Sequence, residues 1–225
     1  LAQKLIEELQ CETVFTIPVL GGIPVSEAVV VTWIIMAVLV IVAFILTRNL
    51  KVDHISKRQA VAESIVTGLM NMVQGMVGEK GRKYVPYLTT VMLYIGVSNI
   101  IGLFGFKSPT KDLRVTVALA LMSIILIEAA GIYHKGVKRW LHGFVEPVAI
   151  VTPINILEVV TKPLSLCMRL FGNVLGAFVI MELLKMILPV GLPVVFSLYF
   201  DIFDGLLQAY VFVFLTSLYI DEITE

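Results

Sequence analysis

Residues 28–46 hold nineteen consecutive positions with no charge among them. About 20 apolar residues carry an α-helix across the roughly 30 Å hydrocarbon core of a bilayer. No water is available there to satisfy peptide groups, so such a run is expected to fold as a helix. Arg48 and Lys51 close this run, and similar runs follow at 84–106 and 115–133, with Asn99 and Glu128 as their internal polar residues. Hydrophobic residues make up 58% of the chain, charged residues only 15%, and the mean hydropathy is +0.95. These values define an all-α polytopic membrane protein with the lipid bilayer as its solvent. Seventeen basic residues balance seventeen acidic ones, so no global positive field points to nucleic acid. Cys11 and Cys167 are too far apart in sequence and context to suggest a disulfide framework or a zinc site, and no metal ligand set is expected. The first twenty residues are too polar for the apolar part of a signal peptide. Residues 1–27 are therefore expected to form an external N-terminal segment, followed by a first transmembrane helix over 28–47.

Residues 56–78 have a different pattern. Val61, Ile65, Leu69, Met72 and Met76 recur at helical spacing, opposite Lys57, Arg58, Glu63, Ser64, Thr67, Asn71 and Gln74. This predicts an amphipathic helix lying along the membrane interface. The next unit, 84–143, is read as a pair of transmembrane helices and a loop. Loop charges orient the whole. Arg48, Lys51, Lys57, Arg58, Lys80, Arg82 and Lys83 lie between the first two spans, and Lys135, Lys138 and Arg139 lie after the third. The opposing segments carry only Lys4, Lys107, Lys111 and Arg114. By the positive-inside rule the first set is cytoplasmic, the N-terminus is outside, and five crossings bring the C-terminus inside. The acidic residues at 221–225 weigh little in that rule.

The last unit, 144–225, is too long for upright spans. Residues 144–188 would extend about 67 Å as one helix and 194–220 about 40 Å, against a core of about 30 Å. The expectation is two long antiparallel helices, steeply tilted or broken, with Pro147, Pro153 and Pro163 as points of kinking and a turn built on Pro189, Gly191 and Pro193. Their polar residues are phased. Glu158, Lys162, Ser165, Arg169 and Asn173 recur at intervals of four, three, four and four; Asp201, Asp204 and Gln208 at three and four. Gly172 and Gly176 form a small-residue pair beside the arginine that lets another helix approach closely, with plain helix packing as the alternative.

Arg169 is the residue that demands an explanation. Arginine stays protonated at physiological pH, and placing it mid-bilayer costs about 2.5–3.5 kcal/mol on insertion scales. Its own helix offers no carboxylate one turn away on either side, whereas Glu158 and Lys162 can pair as i and i+4. A permanent positive charge used within the membrane is the reading that fits. A voltage sensor would carry arginines every third residue. An intramembrane protease would need a base near Ser165 or Ser197, yet His54, His134 and His142 fall in loops. A secondary ion-coupled transporter with a buried Arg/Asp site is the alternative function, although no inverted repeat relates the two halves. No GxxxxGK[ST] motif exists to bind nucleotide.

Four segments carry a resemblance: KPLSLCMRLFGNVLGAFVI at 162–180, LLQAYVFVFLTSLYI at 206–220, SPTKDLRVTVALAL at 108–121 and SNIIGLFGF at 98–106. From the first membrane run onward the chain resembles subunit a of F-type ATP synthases. The resemblance implies the membrane stator of a rotary motor, with two aqueous half-channels that couple H⁺ or Na⁺ translocation to rotation of a ring of small hairpin subunits, the c-ring. It implies a bacterial inner-membrane location and further partners in the peripheral-stalk subunit b and the soluble ATP-synthesising sector. It implies no resident cofactor, and the ATP chemistry would belong to partner subunits. By this likeness Arg169 is the essential charge facing the ring carboxylate, Asn173 its polar companion, and Gln208 the glutamine of the second long helix. Glu182, Asp201 and Asp204 line the ion pathway, with Glu158, Lys162, Ser165, Gly172, Gly176, Asn99 and Glu128 in support. The pattern departs at Phe178, where the family often has an ionisable residue. Glu182, one turn further, is the expected substitute, unless it pairs with Lys185. Both polar stripes are expected to lie against the ring.

Overall fold

The computed structural model describes residues 13–17, 23–48, 56–79, 81–104, 106, 108–143, 152–187 and 192–224. Lys4, Cys11, Lys51, His54, Lys80, Lys107, Pro147, Pro189 and Gly191 lie outside the described residues. A short antiparallel hairpin, β1 (Thr13–Ile17) with β2 (Ile23–Ser26), precedes the helices and pairs Ile17 with Ile23 and Thr13 with Ser26. Its β-branched residues favour extended backbone, a local signal that the reading of 1–27 as a tail did not use. The body is helical: α1 (Glu27–Thr47), α2 (Lys57–Val77), α3 (Val85–Ile100), α4 (Leu113–Lys135), α5 (Val137–Gly143), α6 (Thr152–Ile187), α7 (Leu192–Leu198) and α8 (Gly205–Thr224). A six-residue π-helical stretch, Tyr199–Asp204, fuses α7 to α8.

Helix boundaries follow from capping chemistry. Ser56 accepts the Gln59 amide at the start of α2, and Gly78 (φ 72°) ends that helix in a conformation glycine tolerates. Asp112 has two duties: one carboxylate oxygen caps α4 by accepting from the Arg114 amide at 2.9 Å, and the other accepts from Ser26 Oγ at 2.9 Å. The start of α1 is thereby fastened to the start of α4. Thr32 also reaches Tyr94 of α3 at 3.1 Å, so α1 runs antiparallel to α3.

α3 and α4 form the centre, with α8 packed on both and α6 laid chiefly against α4. One buried cluster joins Ala28, Ile95, Val115, Leu119, Leu166, Leu170 and Phe212 across five helices. A second joins Val73, Val77, Leu88, Ile127, Val213 and Ile220 near the other end of the bundle. α6 has 36 residues, about 54 Å at 1.5 Å per residue, and it runs unbroken. Pro153 falls in its first turn, where a missing amide is harmless, and Pro163 is accommodated inside the helix. A continuous helix of that length stays within a 30 Å core only if tilted. Pro193 does not belong to a turn, because it lies in the first turn of α7.

Six helical runs are long and apolar enough to cross a membrane, α2 among them. α2 packs chiefly on α8 and α3, with Gln59, Val73 and Val77 buried. The stripe of Val61, Ile65 and Met72 is exposed, and Val73 and Val77 pack inward instead. The rest of that face is only partly covered: Leu69 is half-buried, and Met76 packs on the second cluster beside Val73 and Val77.

Gly205 marks the closest approach between helices. A Cβ there would lie 2.8 Å from Cβ of Asn99, whose Nδ2 donates to the Gly205 carbonyl at 3.0 Å. Gly205→Ala should therefore destabilise the fold by about 1–3 kcal/mol, read as earlier denaturant unfolding in micelles. Gly172→Ala, which meets no atom within 4 Å, should leave that midpoint unchanged.

Candidate functional site

Packing of α6 against α4 buries Leu166, Cys167 and Leu170, which turns the opposite face of α6 outward. Ser165, Arg169, Gly172 and Asn173 are all exposed on that face. An added Cβ at Gly172 or Gly176 would meet nothing within 4 Å, so among the described residues no helix occupies the groove beside the arginine. The Arg169 guanidinium has no hydrogen bond or ion pair among the described residues. Its backbone is held firmly instead. Gln208 Nε2 donates to the Arg169 carbonyl at 2.8 Å, and Gln208 Oε1 accepts from Asn173 Nδ2 at 2.8 Å.

Gln208 is 3% exposed. Arg169 and Asn173 are thus exposed, whereas Gln208, expected with them to lie against a ring, is buried within the bundle. Its amide is turned toward α6 because both of its polar ends find partners there, and an unpaired amide in an apolar bundle is costly.

A cavity of about 340 Å³ opens beside this clasp, between the C-terminal half of α6, the start of α8 and the end of α3. Asn99, Glu182, Asp201, Asp204 and Gln208 all line it. Asp201 accepts from Ser197 Oγ at 2.7 Å, and Glu182 pairs with Lys185 at 2.6 Å. Asn99 is fixed from both sides, accepting from Thr110 Oγ1 at 2.7 Å while donating to Gly205. The π-helical stretch presents both aspartates to the cavity, although a six-residue π segment alters the phasing that a plain α-helix would give.

Glu128, Glu158 and Lys162 are not part of this group. They line a second cavity, about 1060 Å³, between the end of α4, the start of α6 and the end of α8. There Glu128 accepts from Trp140 Nε1 at 2.9 Å. Lys162 pairs with Glu222 at 3.1 Å and with Glu158 at 3.7 Å, a contact across helices as well as the one along the helix. The two cavities occupy opposite ends of α4, α6 and α8. Arg169 lies between them, seven residues beyond Lys162 and thirteen before Glu182, about 10 and 20 Å along the axis.

Sequence reasoning missed Lys111, which also lines the first cavity, its ammonium 3.1 Å from the centroid of the Phe178 ring. It was counted only as a loop charge. The signal was its place in SPTKDL, next to the residue that caps α4.

The bundle of long apolar helices defines a multi-pass helical membrane protein. Residues 29–221 match the family model of the ATP synthase A chain, and the chain belongs to this family, the stator subunits of the F-type membrane sector. It is 36% identical over 203 residues to ATP synthase subunit a of Moorella thermoacetica, covering 89% of this chain and 92% of that one. It is 35% identical over 215 residues to the sodium ion specific ATP synthase subunit a of Propionigenium modestum, covering 88% and 74%. A third relative, ATP synthase subunit a 1 of Chlorobaculum parvum, is 34% identical over 208 residues, covering 91% of each chain. Family membership decides against the secondary-transporter alternative.

The clasp itself is testable without any partner. In unfolding measurements on Asn173→Ala, Gln208→Ala and the double variant, the pair should show a coupling energy of about 0.5–1.5 kcal/mol. Strictly additive losses would mean that the amides do not hold α6 to α8.

Proposed function

We propose that this stator subunit couples H⁺ or Na⁺ flow to rotation of a c-ring through Arg169, with the two cavities as its half-channels. The observation that carries this proposal is the exposed Arg169 guanidinium, unpaired among the described residues and lying between two polar cavities at opposite ends of the bundle. The open groove over Gly172 and Gly176 suits close approach by a ring helix.

The physics follows from the charge. A carboxylate buried in the ring is driven toward its neutral, ion-loaded form by desolvation. A guanidinium at about 4 Å contributes about 4 kcal/mol at an effective dielectric of 20, nearly three pKa units at about 1.36 kcal/mol each. That is enough to release the bound ion. Arginine cannot lose its own proton, so it blocks a direct leak between the half-channels, and the ion has to travel around on the ring. Each elementary charge crossing 100 mV supplies about 2.3 kcal/mol to the rotation.

On this proposal the first cavity is the half-channel on the N-terminal side of α8, with Asp201, Asp204, Asn99 and Glu182 along it. The second, with Glu128, Glu158 and Lys162, opens on the basic side that the positive-inside rule makes cytoplasmic. The N-terminus is then outside and the C-terminus inside a bacterial inner membrane. The hairpin at 144–225 carries the translocation site, 28–47 and 84–143 supply the remaining crossings, and 56–78 lies along the interface. The peripheral-stalk subunit b and the soluble sector complete the complex. The relative named as sodium ion specific keeps Na⁺ beside H⁺ as a candidate ion.

Arg169→Ala should abolish ion-driven ATP synthesis in vesicles containing the assembled complex, and Arg169→Lys should fail near neutral pH, since a buried lysine can deprotonate. Normal synthesis by assembled Arg169→Ala complexes would sink the proposal. Glu182→Gln should slow ion flux strongly, and Phe178→Glu in that background should restore part of it, because the two positions are one turn apart on one face. If Glu182 and Asp201 serve one half-channel, Glu182→Gln and Asp201→Asn should be less than multiplicative in flux. Unchanged flux in Glu182→Gln would leave that residue as a structural partner of Lys185.

A further inference from the structure

The two oxygens of the Asp201 carboxylate have different surroundings. Oδ2 accepts from Ser197 Oγ at 2.7 Å, a bond between residues four apart that links the end of α7 to the π-helical stretch. Oδ1 takes no hydrogen bond or ion pair among the described residues. It lies over Gly102 instead, in the 3₁₀ turn Ile101–Phe104 that follows α3. A Cβ added at Gly102 would stand 3.2 Å from Oδ1, 3.6 Å from Cγ and 3.8 Å from Oδ2, so its three nearest neighbours would all belong to this one carboxylate. Gly102, Ser197 and Asp201 all line the first cavity.

A carbon at 3.2 Å from Oδ1 is a few tenths of an ångström too close, and one of the two has to give way. The carboxylate is not free to retreat, because Ser197 holds its other oxygen. A side chain at position 102 would therefore either cover Oδ1 or break the Ser197 bond. Glycine avoids both. An ionised carboxylate is an acceptor at each oxygen, and here the two are given separate tasks: the bonded one sets the plane of the group, and the open one is left to take a proton, a sodium ion or a water.

We infer that Gly102 and Ser197 are positioning residues for the coupling ion: Ser197 fixes Oδ2 of Asp201, and the missing side chain of Gly102 keeps Oδ1 open as the oxygen that takes the ion. The inference rests on the proposal that this cavity lies on the ion path. Neither residue is ionisable, and each acts only through Asp201.

The test uses ATP synthesis by vesicles containing the whole complex, measured against the concentration of the driving ion (H⁺ or Na⁺). Gly102→Ala should raise the apparent KM for the ion by about fivefold, on the scale on which a misplacement of about 1 Å costs about a hundredfold, with a smaller change in maximal rate. The discriminating readout is dependence on Asp201. In an Asp201→Ala background the added methyl meets no carboxylate, and Gly102→Ala should add nothing to the change that Asp201→Ala makes alone. In a Ser197→Ala background the carboxylate is free to turn aside, so Gly102→Ala should cost less than in the parent chain; Ser197→Thr, which keeps the hydroxyl, should give no such relief. A merely structural glycine would show the same loss in every background, and that result, or an unchanged KM in Gly102→Ala, overturns the inference. If Gly102→Ala does not assemble, assembly becomes the readout: adding Asp201→Ala should recover the complex, and failure to recover it overturns the inference. If Asp201→Ala complexes make no measurable ATP, the Ser197→Ala background carries the test. Flux altered in Asp201→Asn with KM unchanged in Gly102→Ala would overturn the inference and leave the cavity on the ion path. Unchanged flux in Asp201→Asn would overturn the cavity assignment together with the inference.

Discussion

The Gln208 amide is the contact on which the arrangement of the site depends. By donating to the Arg169 carbonyl and accepting from Asn173 it ties α8 to α6 through backbone and amide groups, and makes no demand on the guanidinium. In a bundle with little water, such an amide is worth more for being fully satisfied than for the strength of either bond, because an unpaired partner would cost the full desolvation penalty. The Arg169 guanidinium is thereby left exposed, with no ion pair among the described residues. That charge is open to a partner from outside the chain.

Other fastenings distribute the helices around that clasp. Lys162 joins the start of α6 to the end of α8 through Glu222, and Asn99 joins α3 to the start of α8 at Gly205. Between these points α6 and α8 meet less closely than either meets α4, and the space left at each end is a polar cavity. The separation of the two cavities is thus a product of helix packing, with apolar contacts among Leu119, Leu166, Leu170 and Phe212 filling the level between. That buried middle layer is what a barrier to direct ion leakage requires, since an ion in apolar surroundings pays a large desolvation penalty.

Much of the fold was legible because membrane spans are long and strongly patterned. The runs read at 28–46 and 115–133 became Glu27–Thr47 and Leu113–Lys135, and Ser56 was the cap of the amphipathic helix. Periodicity was less informative about depth. Glu158, Lys162, Arg169 and Asn173 share one face of α6, yet the first two belong to the cavity at the opposite end from Glu182, because a shared face says nothing about which neighbouring helix ends where. Gln208 was expected against the ring, from the resemblance and from the polar stripe it shares with Asp201 and Asp204; its partners are 35 and 39 residues away, and no local pattern encodes them. The π-helical stretch at Tyr199–Asp204 was invisible for the same reason, as its extra residue per turn is imposed by packing and not by composition. Lys111 was hidden by its loop, where a lysine ordinarily reports only topology.

The most direct measurement is a cryo-electron microscopy structure of the assembled membrane sector in lipid, resolving Arg169 and the facing ring helix. The arrangement described here predicts the guanidinium within about 4 Å of the ring carboxylate, the separation at which the electrostatic coupling suffices to release an ion, with Gln208 still bonded to the Arg169 carbonyl. An Arg169 side chain paired with a carboxylate of its own chain, or turned toward lipid with no ring carboxylate near it, would contradict it.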